Sequence, residues 1–356
     1  MAARNVTRLF SVLALFVSGC STTVQPPCPE TTAPPVSASS DVATSEPVPV
    51  VLRLPPPPES ALVAQKALPL VPGGLVRAGD GRLFSTKDGA ELVLVPEAEF
   101  TMGDDASTEA DERPAHRVTL SAHLLDRHEV TNAQFARFVA ETGYRTDAEE
   151  QGVAHALVGD SFKDVAGADW RHPGGPATTI EGMGEHPVVL VSWNDAHAYC
   201  EWSGRRLPTE AEFERGLRAG AKGSKYPWGN EASPSPSSGN YSDEAAMRAH
   251  QKWVAVAGYE DGFSGTAPVG SFPQNALGLL DMGGNVWEWC SDWYGADYYG
   301  MSPGQDPQGI SSGERRVNRG GGWDCDLFGA RCSCRDGGKP GLRLPYLGFR
   351  TALSLW

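Results

Sequence analysis

Between residue 88 and the C-terminus the chain has few long periodic runs of apolar residues, while glycine and tryptophan recur throughout. Long amphipathic helices and long alternating strands need such runs, because one face must be buried along the whole element. Short elements joined by turns and irregular segments are therefore expected, gathered in one large domain. No solenoid-period repeat is present, nor a Walker loop, a Rossmann fingerprint or a Gly-x-Ser-x-Gly elbow.

A few elements announce themselves locally. Glu91–Val95 alternates enough to form a strand, residues 100–103 read as a turn, and residues 117–120 as a second strand. Thr131 with Gln134 three positions on makes a capping box, so a helix is expected there, with Phe135, Phe138 and Val139 inward and Gly143 at its end. A second helix is expected from Ser192 or Asn194 to Gly204, burying Ala196, Tyr199 and Cys200. A third starts at Thr209, boxed by Glu212, and runs to about Ala219. Glu210 and Glu212 are read as helix-start residues rather than as an acid–base pair.

The N-terminus carries a targeting pattern. Arg4 and Arg8 precede a nearly continuous apolar run over residues 9–17, and Val17-Ser18-Gly19-Cys20 forms a lipoprotein cleavage box. The run is shorter than the about 20 residues a membrane span requires. Residues 1–20 are thus expected to be a signal peptide, leaving a mature chain lipidated at Cys20. An ordinary secretory peptide is the alternative. Ser21 follows the cysteine, which points to the outer membrane of a bacterial envelope, facing the periplasm. Residues 21–87 are rich in Pro, Ser, Thr and Ala, with consecutive prolines at 55–58, and are expected to form a disordered tether. The domain proper is expected over 88–356. A net charge of −14 disfavours nucleic acid and anionic lipid surfaces as partners.

Within that domain lie Cys200, Cys290, Cys325, Cys332 and Cys334. An exported compartment permits disulfides, and an odd number leaves at least one thiol over. The sequence RVNRGGGWDCDLFGARCSCR, residues 316–335, concentrates three of them behind a glycine turn. Thiols this close can hold a soft metal, form a disulfide or act as a nucleophile. His116, His172, His186 and His197 lack a metal-ligand spacing and are read as turn or surface residues. Trp193, Trp202, Trp228, Trp287 and Trp289 are read as core.

That segment, with GGNVWEWCSDWYG before it and YLGFRTAL after it, resembles formylglycine-generating enzymes, also called sulfatase-modifying factors. The likeness extends in order through EVTNAQFARFV, WRHPGGP, HPVVLVSWNDAHAYCEWSGRRLPTEAEFERGLRAG, PWGN, EDGFSGTAPVGSFPQNALGLLDMGGNVWEWCSDWYG and LGFR. It implies an irregular α/β fold, low in regular secondary structure and related to C-type lectins. It implies oxidation of a cysteine in a protein or peptide substrate, with O₂ and with copper held by two cysteines. It also implies two calcium sites. One uses the Asn240 and Asp261 side chains with the Tyr241 and Phe263 carbonyls; the other uses Glu288 with the carbonyls of Asp281, Gly284 and Val286.

The chain departs from the pattern where copper would bind. Cys325 fits the first copper cysteine and is the candidate catalytic residue, but the partner position falls on Ala330. The turn reads Gly320-Gly321-Gly322, without the family's serine. Two structural bridges of the family also lose an end, with Thr351 opposite Cys200 and Leu217 opposite Cys332. Cys332 or Cys334 reaching Cys325 across a shortened loop stays open, as copper ligand or disulfide partner. So do three functions: an envelope-anchored oxidase of a protein cysteine, a calcium-stabilised binding or scaffold domain that has lost the copper site, or the different oxidation or sulfur-transfer chemistry that divergent members of the family imply.

Overall fold

The computed structural model describes residues 54–355, except 69, 220–222, 233, 235–237 and 251–252. The lipidation expected at Cys20 lies outside them. In chain order the elements are α1 (Glu59–Lys66), β1 (Leu75–Arg77), β2 (Leu83–Ser85), β3 (Glu91–Val95), β4 (Ala98–Met102), β5 (His116–Leu120), β6 (His123–Asp126), α2 (Asn132–Thr142), α3 (Asp147–Gln151), β7 (Val153–Val158) and β8 (Ser161–Ala166). They continue as α4 (Trp193–Ser203), α5 (Glu210–Arg218), α6 (Glu244–Ala249), β9 (Trp287–Trp293), β10 (Arg316–Arg319), β11 (Arg335–Gly338), β12 (Leu347–Gly348) and β13 (Ala352–Ser354). Long irregular stretches separate them, as the scarcity of periodic runs requires.

A five-stranded sheet has the order β1-β2-β3-β6-β13, and a four-stranded sheet the order β11-β10-β9-β12; β4-β5 and β7-β8 are hairpin pairs. β3 is buried along its whole length because both faces are covered. Leu92 and Leu94 pack with Leu83 and Leu124, while Val93 and Val95 point the other way, into a cluster with Leu125, Phe213 and Leu217. The alternation that marks β3 as a strand thus serves two cores.

The three expected helices form as α2, α4 and α5, each opened by a complete capping box from Thr131, Ser192 and Thr209. Gly143 and Gly204 close the first two at φ 69° and 71°, the left-handed conformation glycine adopts without steric cost. α2 and α4 share an aromatic core in which Phe135, Phe138 and Tyr199 meet Trp170 and Phe349. α5 is buried on every side, although much of it is charged. Its acids are paired: Glu214 with Arg218 at 2.9 Å and with Arg319, and Glu210 with Arg335 at 2.6 Å. Such pairs offset burial that a lone carboxylate could not sustain.

Two expectations change. The tether was expected to reach residue 87, but α1, β1 and β2 lie in its C-terminal part, and Leu83 pairs with Leu92 of the central strand. Strands of three residues leave no periodic signal; their burial depends on partners elsewhere in the chain. Of residues 100–103, read as a turn, the first three instead complete β4, paired with β5 from Ala98↔Leu120 to Met102↔His116. The turn begins at Gly103, with φ 83°, where a Cβ would lie 2.6 Å from the Glu112 carbonyl oxygen.

Candidate functional site

β10 ends in the glycine turn, and the turn presents Cys325. Gly320 and Gly321 have φ of 101° and 74°. A Cβ on Gly321 would stand 2.8 Å from the Gly329 carbonyl oxygen, so the loop folds back on itself there. The Cys325 amide donates to the Gly322 carbonyl at 2.9 Å, and the Cys325 carbonyl accepts from the Ser242 amide at 2.9 Å. The half-buried sulfur accepts the Trp287 indole N–H at 3.2 Å and faces Asp324 Oδ1 at 3.6 Å. Burial, then the Asp324 charge, pushes the thiol well above its usual range, against the smaller opposing pull of the Trp287 and Gly322 contacts. In the metal-free chain Cys325 is therefore held as a thiol, a weak nucleophile in that state.

The expected copper partner position is a methyl group. Ala330 is 2 % exposed and packs with Tyr226, Tyr241, Val256 and Tyr259. Gly329 closes the space beside the sulfur, since a Cβ there would be 2.7 Å from Cys325 Sγ. Cys332 is sequestered with Phe213, Leu217 and Cys290 in another apolar cluster, its thiol pushed up to about 12 by burial. Cys334 is buried and raised similarly, to about 12; its charge is felt at Cys325, but Arg331 and Glu112 dominate its surroundings. Cys200, Cys290, Cys325, Cys332 and Cys334 are all free thiols. Among the described residues, no three His, Cys, Asp or Glu side chains are grouped to hold a metal. One protonated thiol beside a buried methyl does not fit a two-thiolate copper centre.

The first expected calcium set is brought together. Asp261 Oδ2 accepts the Tyr241 amide at 2.9 Å and its Oδ1 the Phe263 amide at 2.9 Å. Burial pushes the Asp261 carboxyl up to about 7 despite these bonds, and Asp243 nearby adds to the rise. Asn240 donates to the Gly265 carbonyl at 2.8 Å and to Asn285 at 3.0 Å, yet its buried Oδ1 has no partner. Asn240 thus keeps one buried oxygen open to a donor or a cation, while the Asp261 carboxylate is bonded to the Tyr241 and Phe263 amides.

The second set is arranged around a guanidinium. Arg350 donates to Glu288 Oε1 at 2.7 Å and Oε2 at 2.8 Å, and to the Asp281 carbonyl at 3.2 Å. Val286 is core, and the Gly284 amide bonds the Gly320 carbonyl at 3.0 Å. Glu288 is thus committed to an arginine that the local sequence of GNVWEW gives no hint of. Glu129 also belongs here: it accepts from Asn285 Nδ2 at 2.9 Å, its Oε2 is unpartnered, and burial together with Asp281 raises it well above the usual carboxylate range. Sequence reasoning missed Glu129, Arg350, the Asp324 contact and the role of Trp287. The strand alternation of β9 was the one available signal, since it sets Trp287 and Glu288 on opposite faces.

This combination of short sheets, a buried Arg–carboxylate lattice and a glycine-turn thiol defines a known class. Residues 82–355 match the family model described as "Sulfatase-modifying factor enzyme 1-like domain". The chain is 40 % identical over 284 residues to the formylglycine-generating enzyme of Mus musculus, covering 74 % of each chain. It is 42 % identical over 282 residues to that of Streptomyces coelicolor, covering 73 % of this chain and 88 % of the relative. It is also 37 % identical over 309 residues to "Inactive C-alpha-formylglycine-generating enzyme 2" of Bos taurus, covering 80 % and 93 %. Among solved structures, PvdO from Pseudomonas aeruginosa superposes with a TM-score of 0.59 at 28 % identity, covering 80 % of this chain and all of that one. The chain belongs to the formylglycine-generating enzyme, or sulfatase-modifying factor, family.

Proposed function

We propose that this chain is a family member that engages a protein or peptide partner without performing copper-dependent formylglycine formation. The carrying observation is Ala330, a buried methyl where the second copper thiolate belongs. Relatives named as inactive enzymes support the idea that the fold persists without the reaction. Cys325 keeps its place beside Trp287, so the surface that meets a partner's cysteine is retained while the thiol stays protonated. Calcium at Asn240 and Asp261 supports the loops, and a lipid on Cys20 holds the chain to the envelope. The test supplies the reduced full chain with Cu(I), O₂ and a Cys-x-Pro-x-Arg peptide, and follows both binding and aldehyde formation by mass spectrometry. Peptide binding without aldehyde is expected. Multiple turnover that disappears in Cys325→Ser overturns the proposal, and if Cys334→Ser abolishes it too, that residue is the replacement ligand. For the anchor, Cys20→Ala is expected to release the protein from the membrane fraction; unchanged retention contradicts it.

A further inference from the structure

Trp287, the neighbour of Cys325, stands at one end of β9. The other end of that strand, about 20 Å away at the rise of an extended chain, carries a separate cluster. There the Arg316 guanidinium lies over two half-buried rings, 3.8 Å from the Trp193 centroid and 3.5 Å from the Trp293 centroid. Strand register makes the stack, because Arg316 of β10 lies opposite Trp293 of β9. Trp193 opens α4 and is fixed by its indole N–H, which donates to the Cys290 carbonyl at 2.9 Å.

The stack holds two hydrogen-bond donors that the fold does not use. Arg316 Nη1 donates to the Ser291 carbonyl at 2.5 Å, and Nε is enclosed. Nη2 is neither bonded among the described residues nor enclosed. The Trp293 indole N–H is in the same condition. Every other described tryptophan either donates its N–H to a protein acceptor, as Trp287, Trp289 and Trp323 do, or, at Trp170, encloses it. Charge is unbalanced as well. Arg319, further along β10, is paired with Glu214. Arg316 makes no ion pair among the described residues, and the carboxylate it feels, Asp292, is buried and accepts the Glu210 amide. The ring faces attract the cation but give its N–H edge no acceptor.

We infer that this end of the β9–β10 pair docks a partner protein, which sets one Asp or Glu side chain, flanked by apolar residues, against Arg316 and Trp293. A carboxylate has two acceptor oxygens to meet the two open donors. Stacking fixes the guanidinium before the partner arrives, so little side-chain freedom is lost on binding. The partner's apolar neighbours cover the exposed parts of Trp193 and Trp293. Arginine and tryptophan are the residues that dominate binding energy where proteins meet. Polyanions fit worse, since nucleic acid and anionic lipid engage several cations at once. The adjacent Arg315 is turned to Tyr294, 4.3 Å from its ring centroid, and the chain's net charge of −14 repels such partners. Docking here is independent of Cys325, which lies at the far end of the strand.

The experiment titrates the reduced full chain with N-acetyl-Leu-Glu-Leu amide, with N-acetyl-Leu-Gln-Leu amide and with inorganic phosphate, following indole and guanidinium N–H signals by NMR. The Glu peptide is expected to saturate one site and to shift the Trp293 indole and the Arg316 guanidinium while leaving Trp287 unmoved. The Gln peptide and phosphate are each expected to bind at least tenfold more weakly. Arg316→Lys keeps the charge and loses the planar stack; checked for native melting, it is expected to weaken the Glu peptide at least tenfold. Absence of saturable binding, equal binding of the two peptides, phosphate matching the Glu peptide, undiminished binding in Arg316→Lys, or shifts at Trp287 in place of Trp293 each overturn the inference. Should Arg316→Lys fail to fold, the preference for Glu over Gln, with its shifts at Trp293, decides the question in the unaltered protein.

Discussion

At the scale of single residues, the chemistry of Cys325 is set by what its sulfur faces. Trp287 donates to it at 3.2 Å, the largest side-chain contact that favours the thiolate. Trp287→Phe keeps the ring and removes the N–H, so the thiol is expected to rise further and alkylate more slowly. Iodoacetamide rates followed by mass spectrometry against pH check this; an unchanged or faster rate contradicts it. Glu288 and Asn240 separate the two cation readings. Glu288→Ala removes the bidentate partner of the buried Arg350 guanidinium, which costs about 3–5 kcal/mol for a pair of this kind and is expected in chelator as well. Asn240→Ala is expected to have a small effect in chelator but to shrink the gain from calcium, which for the native site is about 2.7 kcal/mol at a hundredfold excess over Kd. Melting each variant with calcium and with chelator distinguishes them; an undiminished calcium shift in Asn240→Ala counts against that site.

At the scale of elements, α5 joins the four-stranded sheet through its ion pairs to Arg319 and Arg335 and the five-stranded sheet through Phe213 and Leu217. Asp292 of β9 accepts the Glu210 amide at 2.9 Å, so the strand helps to cap the helix. Burial, and then Glu210, pushes the Asp292 carboxyl up to about 7 from its ordinary 3.8. The sign follows directly. Between those two values the folded chain holds a proton that the unfolded chain has released, so this group's contribution to stability falls as pH rises through the window. Asp292→Asn keeps an acceptor for the Glu210 amide and removes the titration. It is expected to flatten the decline in stability between pH 4 and 7. Denaturant melts at several pH values measure it, and an identical slope in both proteins refutes the assignment.

At the scale of the whole molecule, the N-terminal limit of the fold is the clearest consequence of long-range pairing. A chain beginning at residue 88 would lack Leu83, strip β2 from β3 and lose the Arg127 and Gln274 contacts to Pro55 and Pro56. The bared edge of β3 is an apolar template for association. Such a chain is expected to be less stable and to aggregate, whereas one beginning at residue 54 remains monodisperse in light scattering. Equal behaviour of the two would mean that β1 and β2 contribute nothing to the domain.

The sequence by itself determined what is local. Two capping boxes, two closing glycines and the β3 alternation each lie within a few residues of chain, and all formed as their chemistry dictates; the box at Ser192 fixed which of two expected starts the second helix uses. The ordered blocks of motif also determined the family, and the substitution of Ala330 for a cysteine was legible without coordinates. Tertiary structure alone decided what depends on distant partners. β1 and β2 are strands because a central strand lies beside them. Glu288 meets Arg350, 62 positions away. Cys332 falls into an apolar cluster with Phe213, Leu217 and Cys290. The physical reason is the same throughout: hydrogen-bond caps and turns are closed by neighbours in sequence, whereas burial, charge pairing and cavities are made by whichever segments the fold brings together.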